Sequence, residues 1–418
     1  PVDGDAFLNA SRRLTKVKPF IVVKSGTTSA GSRAVSSHTG TLAGSDSAYD
    51  TAFKQAGILR ASSVSELFAY STALAYQPLP KGRRIGIITN AGGPGIMATD
   101  ACEKGGLQLA TLSPETVDYL YEVLPPAANH YNPIDVLGDA RSDRYEKALE
   151  AALKDPGVDA IIFLLTPQAM TDIANTAEAV VRISRNHDKP VLACFMGGKE
   201  VAAGNRILGE GQLPFYDFPE DAADALRAMV QQQEWIHTEY EEPIRMGADR
   251  ERGAMTVLAA QKAGRLKLNE MEARQVVAAY GLPLPQSQLA LSGDQSAQFA
   301  AEIGYPVVMK IISPDILHKS DMGGVVVGVQ DEKGARQAYQ DILLRARRYM
   351  PDADIWGVAV QQMVDKGKEI ILGVTKDPTF GHMIMFGLGG IYVEVLKDVQ
   401  FAIAPITPTQ ARDMITSL

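Results

Sequence analysis

Three stretches of this chain are apolar almost without interruption: Arg84-Ile85-Gly86-Ile87-Ile88-Thr89, Asp159-Ala160-Ile161-Ile162-Phe163-Leu164-Leu165 and Pro190-Val191-Leu192-Ala193-Cys194-Phe195. A strand with one face in water alternates apolar and polar residues, whereas a strand covered on both faces does not. Helical patterns fall between the runs, near 143–154 and 171–186. Buried strands separated by amphipathic helices predict an α/β unit, a parallel sheet with helices on both faces. Ligands of such sheets collect beyond the carboxyl ends of the strands. Two glycine-rich turns are predicted there, Asn90-Ala91-Gly92-Gly93-Pro94-Gly95 and Met196-Gly197-Gly198, together with Thr166-Pro167-Gln168-Ala169. Asn132-Pro133-Ile134-Asp135 enters a further strand and reads equally as an Asx turn or as a segment near substrate.

The rest of the chain divides around this unit, which we bound at 80–235. Residues 1–79 read strand (Phe20 to Lys24), glycine-rich loop, helix (Ser47 to Ala56) and helix (Val64 to Ala75), the later part of a second flavodoxin-like parallel-sheet unit. Residues 236–264 are charged and lack a strand pattern, which predicts a linker with a helix late in it. Residues 265–418 open on a helix with Asn269 as N-cap. Strands are predicted there at Val307–Ile312, Val325–Val329, Val358–Val364 and Glu369–Val374. Both ends read as cut, since no methionine opens the chain and Pro408-Thr409-Gln410 starts a helix close to the last residue.

The net charge of −8 and the lack of a long basic run argue against a nucleic-acid partner. No apolar run reaches the roughly 18 residues that span a bilayer, and no signal peptide is visible. The two cysteines, Cys102 and Cys194, each sit in an apolar element and read as small packed hydrophobes. These features predict a cytoplasmic protein.

The most chemically loaded stretch is Ser36-Ser37-His38-Thr39-Gly40-Thr41-Leu42-Ala43-Gly44-Ser45-Asp46. One histidine stands among small and hydroxylated residues, just ahead of a predicted helix. Backbone N–H groups and a helix N-terminus favour negative charge beside it. No second ligand lies at the spacing a metal site uses. The setting suits a phosphohistidine, and it also suits a loop histidine that only hydrogen-bonds.

Taken with Asn90–Gly95, Leu317-His318-Lys319-Ser320-Asp321-Met322-Gly323-Gly324 and the stretch Phe386-Gly387-Leu388-Gly389-Gly390-Ile391-Tyr392-Val393-Glu394, which reads as a glycine-rich loop, this stretch resembles the nucleoside-diphosphate-forming acyl-CoA synthetases. These are relatives of succinyl-CoA synthetase, best known through ADP-forming acetyl-CoA synthetase. The resemblance runs along the whole chain and implies two succinyl-CoA synthetase-like flavodoxin units followed by a partial ATP-grasp domain. It implies an acid–thiol ligase that converts acyl-CoA, ADP and phosphate to carboxylate, CoA and ATP, reversibly, on acetyl-CoA or a similar short acyl-CoA. His38 is then the phosphorylated histidine, with Ser37, Thr39, Gly40, Asn90, Gly92, Gly93 and Gly95 around phosphate. His318 is implied as a second phosphate carrier. Lys310, Gln361, Gln362, Val364 and Glu369 are implied to meet the nucleotide. Lys310 also stands as a single cation on an apolar strand, which is costly unless it is paired. Mg²⁺ is the implied cofactor, with Glu394 as a weak candidate ligand. The family's CoA-binding domain and the end of its ATP-grasp fold lie outside this sequence, so the implied state is a homo-oligomer or an assembly with those parts. The alternative is the acyl-CoA-sensing region of a protein lysine acetyltransferase, where loss of the phosphorylated histidine would be expected.

Overall fold

The structure is a computed structural model. It describes residues 3–28, 46–239, 241–244, 247–316, 319–365, 367–389 and 399–417. Contacts divide the chain into two units, Pro1–Pro243 with Ile370–Leu418, and Ile244–Glu369.

The first unit opens with α1 (Gly4–Thr15), β1 (Ile21–Val23), α2 (Asp46–Gln55), β2 (Leu59–Ala61) and α3 (Val64–Tyr76). Strands β1 and β2 pair in parallel, Val22 opposite Arg60. Helix α3 starts where the Ser63 hydroxyl accepts the Glu66 N–H, satisfying one of the donors that a helix start leaves open.

A six-stranded sheet follows. Its elements are β3 (Arg84–Thr89), α4 (Gly92–Lys104), β4 (Gln108–Leu109), α5 (Pro114–Val123), β5 (Ile134–Asp135), α6 (Ser142–Lys154), β6 (Ala160–Leu165), α7 (Ile173–Ser184), β7 (Val191–Phe195), α8 (Ala202–Glu210), β8 (Phe215–Tyr216) and α9 (Pro219–His237). The order is β4-β3-β6-β7-β8, with β5 also on β3, and every pairing is parallel. Ile161, Phe163 and Leu165 join one core with Leu149, Val180 and Leu208. Ala160, Ile162 and Leu164 join the other with Cys102, Leu226 and Met229. Alternate side chains of one strand thus feed two cores, which is why the strand reads as continuously apolar.

One edge of β3 is built from two short pieces, β4 beside Arg84–Ile85 and β5 beside Ile88–Thr89. Asn132 fills the gap between them. Its Oδ1 accepts the Ile87 N–H at 2.9 Å, and its Nδ2 donates to the Ile85 and Ala110 carbonyls at 2.8 and 2.9 Å. The asparagine amide stands in for the missing strand backbone.

The second unit contains α10 (Arg250–Lys262), α11 (Glu270–Ala279), β9 (Ser287–Ala290), α12 (Gly293–Ile303), β10 (Val307–Ile312), β11 (Val325–Val329), α13 (Glu332–Tyr349) and β12 (Gly357–Gln362). Its four strands run antiparallel in the order β11-β10-β12-β9. Val307, Met309, Ile311, Val358 and Val360 pack with Ala297, Ala300, Ala338 and Ile342 of α12 and α13.

The chain then gives β13 (Ile370–Asp377), β14 (Gly381–Leu388), β15 (Val399–Ile403) and α14 (Pro408–Thr416). The three strands form a separate antiparallel sheet. Met383, Ile403 and Phe380 pack with Leu8, Ala52 and Phe53 of α1 and α2. Two expectations are corrected here. Phe386, Gly387 and Leu388 end strand β14 rather than opening a loop. Glu369 precedes β13 rather than lying on it. Among the described residues no helix is long and apolar enough to cross a membrane. Both cysteines are buried free thiols, and burial pushes the Cys102 thiol up to about 12.

Candidate functional site

The β4-β3-β6-β7-β8 order reverses direction between β3 and β6, and the carboxyl ends of two such strands frame the ligand crevice of this sheet type. Asn90 follows β3 and Thr166 follows β6. The buried Asn90 amide donates to the Thr166 carbonyl at 2.7 Å and accepts the Thr166 N–H and Oγ1 at 2.8 and 3.0 Å. Gln168 Nε2 reaches Thr166 Oγ1 at 3.4 Å. Asn90 is therefore satisfied by the neighbouring strand end and fixes the crevice wall.

Helix α4 begins immediately beyond. Its N-cap is Ala91, with no side-chain cap. The Ala91 N–H is held by Thr89 Oγ1. Gly92 and Gly93 form the first turn, are exposed, and have nothing within 4 Å of where a Cβ would stand. Neither they nor Gly95 has a positive φ, so a turn that demands glycine does not account for them. Gly95 has a packing reason, since its Cβ would stand 3.1 Å from Thr89 Cγ2. Gly92 and Gly93 leave a helix N-terminus open to close approach. Such a terminus offers backbone donors and a favourable dipole to an anion.

His38, Ser37, Thr39 and Gly40 lie outside the described residues, as do His318 and Glu394. The described flanks of the His38 stretch are tied together. Asp46, in the first turn of α2, accepts Arg60 Nη2 at 2.7 and 3.0 Å and stands 3.5 Å from Lys24 Nζ. Lys24 also lies over the Tyr49 ring at 4.8 Å.

In the second unit, Lys310 projects from β10 and is paired, which corrects the picture of an uncompensated cation. Glu270 Oε1 lies 3.3 Å from Lys310 Nζ, and Oε2 lies 2.6 Å from Lys319 Nζ. Burial raises the Glu270 pKa, but the Lys319 hydrogen bond and the charges of both lysines outweigh it and hold the carboxyl below its usual range. Gln361 and Ser287 are opposite one another across β12 and β9, and Gln361 is opposite Val308 across β10. They therefore share the sheet face of Lys310. The Gln361 Oε1 and Ser287 Oγ atoms are buried without a hydrogen-bond partner among the described residues. Gln362 instead bonds to Gln286, accepting its N–H at 3.2 Å and donating its own backbone N–H to its carbonyl. Val364 and Glu369 are exposed. Among the described residues no group of three or more His, Cys, Asp or Glu is placed to hold a metal ion.

Sequence reasoning missed Glu270 and Ser287. Glu270 reads only as an early acid of a helix, and its two lysines are 40 and 49 residues away.

Residues 2–74 match the succinyl-CoA ligase-like flavodoxin domain, 85–241 the Ligase-CoA domain and 259–418 the ATP-grasp domain. The chain is 40% identical over its whole length to the ADP-forming 4-hydroxybutyrate–CoA ligase of Nitrosopumilus maritimus, covering 60% of that protein. Over 41% of its length it is 46% identical to the beta subunit of ADP-forming acetate–CoA ligase I of Pyrococcus furiosus, covering 73% of that subunit. Among solved structures, acetyl-coenzyme A synthetase 1 of Candidatus Korarchaeum cryptofilum, in complex with phosphate and ADP, matches 56% of this chain and 51% of its own at 36% identity, with a TM-score of 0.54. The chain thus spans about 60% of the length of the full-length curated relatives it matches.

Proposed function

Given that the chain belongs to the ADP-forming acyl-CoA ligases, we propose that the protein containing it converts acyl-CoA, phosphate and ADP to carboxylate, CoA and ATP, reversibly. Phosphate attacks the thioester carbonyl and CoA leaves as the thiol, giving an acyl phosphate. The neutral imidazole of His38 takes the phosphoryl group and releases the carboxylate. Phosphohistidine then delivers that group to ADP, with His318 as an intermediate carrier. Splitting one transfer into several lets each be served by its own binding groups.

The observation that carries this reading is the first turn of α4. Gly92 and Gly93 have neither a positive φ nor a packing neighbour to explain them, and they open a helix N-terminus at the switch point of a parallel sheet. A dianionic phosphoryl group is the ligand such a terminus suits. Lys310, Gln361 and Ser287 on one sheet face of the second unit supply a cation and polar atoms without a partner among the described residues for the nucleotide. Mg²⁺ is proposed as counter-charge to that nucleotide, with no ligand assigned among the described residues.

The two named relatives act on different acids, 4-hydroxybutyrate and acetate, so a short acyl group is proposed without choosing between them. Their being ligases favours this reading over an acyl-CoA-sensing region. Action in the cytoplasm, as a homo-oligomer or together with CoA-binding and further ATP-grasp parts, belongs to the same proposal.

The test mixes the full protein with ADP, phosphate, Mg²⁺ and a panel of short acyl-CoAs and follows ATP. Wild type should form ATP and His38→Ala should not. Equal rates from both proteins would remove His38 from the reaction. No ATP with any acyl-CoA would remove the ligase reading.

A further inference from the structure

The carboxylate of Glu270 holds two cations at once. One is Lys310, fixed on strand β10. The other is Lys319, in the connection between β10 and β11. All three side chains are mostly buried, at 26% exposure for Lys310 and Glu270 and 19% for Lys319, where a lysine pair without a counter-ion repels. The helix does not need Glu270 for its own start. A capping box of Asn269 and Glu272 does that, and Arg265 grips Glu272 at 2.6 and 2.8 Å. The same sheet face carries Gln361 Oε1 and Ser287 Oγ, buried and without a hydrogen-bond partner among the described residues. A face whose cations are neutralised by a local carboxylate and whose polar atoms lack partners is arranged for something other than protein.

We propose that Glu270 is an internal stand-in for the phosphates of a nucleoside diphosphate. Its carboxylate keeps Lys310 and Lys319 together when no nucleotide is bound, and the phosphates displace it when one arrives. The proposal rests on the reading of Lys310 as a nucleotide ligand. Glu270 then acts as a positioning residue that competes with the ligand, and removing its charge makes binding tighter. A residue with a merely structural role would give unchanged or weaker binding.

The experiment titrates ADP, and separately adenosine, into the full chain as wild type, Glu270→Gln, Glu270→Ala and Lys310→Met. Melting of each variant is recorded to confirm folding. Releasing a partly exposed ion pair should tighten ADP binding about three- to tenfold in both Glu270 variants, with adenosine binding unchanged. Lys310→Met should weaken ADP binding. Unchanged or weaker ADP binding in the Glu270 variants, while Lys310→Met still weakens it, would overturn the role of Glu270 and leave the nucleotide site standing. Equal tightening for adenosine would also overturn it, because the effect would not run through phosphate. Lys310→Met without effect would remove the nucleotide site itself.

Discussion

Replacing Asn132 with alanine tests how the β3 edge is held. The substitution removes three hydrogen bonds of the Asn132 amide, two to β3 and one to the residue following β4. Their consequences differ. The Ile87 N–H loses its acceptor at a residue with no exposed surface, which costs about 1–3 kcal/mol. The Ile85 carbonyl keeps the Ala110 N–H at 2.9 Å, so its loss and that of the Ala110 carbonyl are each about 0.5–1.5 kcal/mol. The sum centres on about 4 kcal/mol of destabilisation. The chain has two tryptophans, Trp235 in the first unit and Trp356 in the second. In a Trp356→Phe background, fluorescence reads unfolding through Trp235 alone. With an m-value of about 3 kcal/mol/M, the urea midpoint should fall by about 1.3 M. Asn132→Asp should be at least as damaging, since an oxygen would then face two carbonyls. A midpoint shift under about 0.3 M for Asn132→Ala would refute the reasoning, because the strand edge would then be held by something else.

The open first turn of α4 gives a prediction with opposite signs in two assays. Gly93→Ala meets no atom within 4 Å and should raise stability by about 0.5–1 kcal/mol in a melting experiment, yet cut ATP formation more than about tenfold by standing in the anion's approach. Full activity would sink the cradle reading. For acid stability, Asp159 is the group to follow. Burial pushes its pKa up, but the side-chain and backbone hydrogen bonds of Arg84 and that residue's charge prevail, leaving it lowered. A lowered folded pKa means stability present above the unfolded value, about 3.9, and lost as pH falls through the folded one. Urea midpoints should therefore drop less steeply between pH 5 and acid for Asp159→Asn than for wild type. Parallel slopes would show that the Arg84 pair contributes nothing.

The parallel sheet was legible because β6 and β7 lack alternation, and a covered strand has no reason to alternate. The place of Asn90–Gly95 was legible for the same reason, since a turn after such a strand must fall at the sheet's carboxyl edge. Strands β4 and β8 were not legible, because two residues carry no period, whereas β5, equally short, was marked by the Asn132-Pro133 entry ahead of it. Asn132 read as a turn residue, while its role is to replace backbone on a strand 45 residues earlier, and no local pattern announces that. The stretch from Phe386 read as a loop through its glycines. Gly387 instead pairs with Ile371 on one side and Val399 on the other, so cross-strand contacts decided what composition alone misread.

The two proposed sites would meet negative charge by different physical means, and the difference explains why an acid stands beside the lysines. At α4 the positive end consists of backbone dipoles. These are fixed by the helix, repel nothing in the absence of a ligand, and need no counter-ion. Glycine is then the useful side chain, because every added atom stands between the donor and the anion. At β10 the charge is carried by two mobile ammonium groups, which repel one another and lose solvation as they are buried. Such a pair persists in a preformed geometry only with a carboxylate between its members, and that carboxylate must weaken the ligand it imitates. High salt should therefore screen binding at the lysine pair more than binding at the α4 terminus, where the donors are hydrogen-bonding groups in contact with the anion rather than charges at the end of flexible chains.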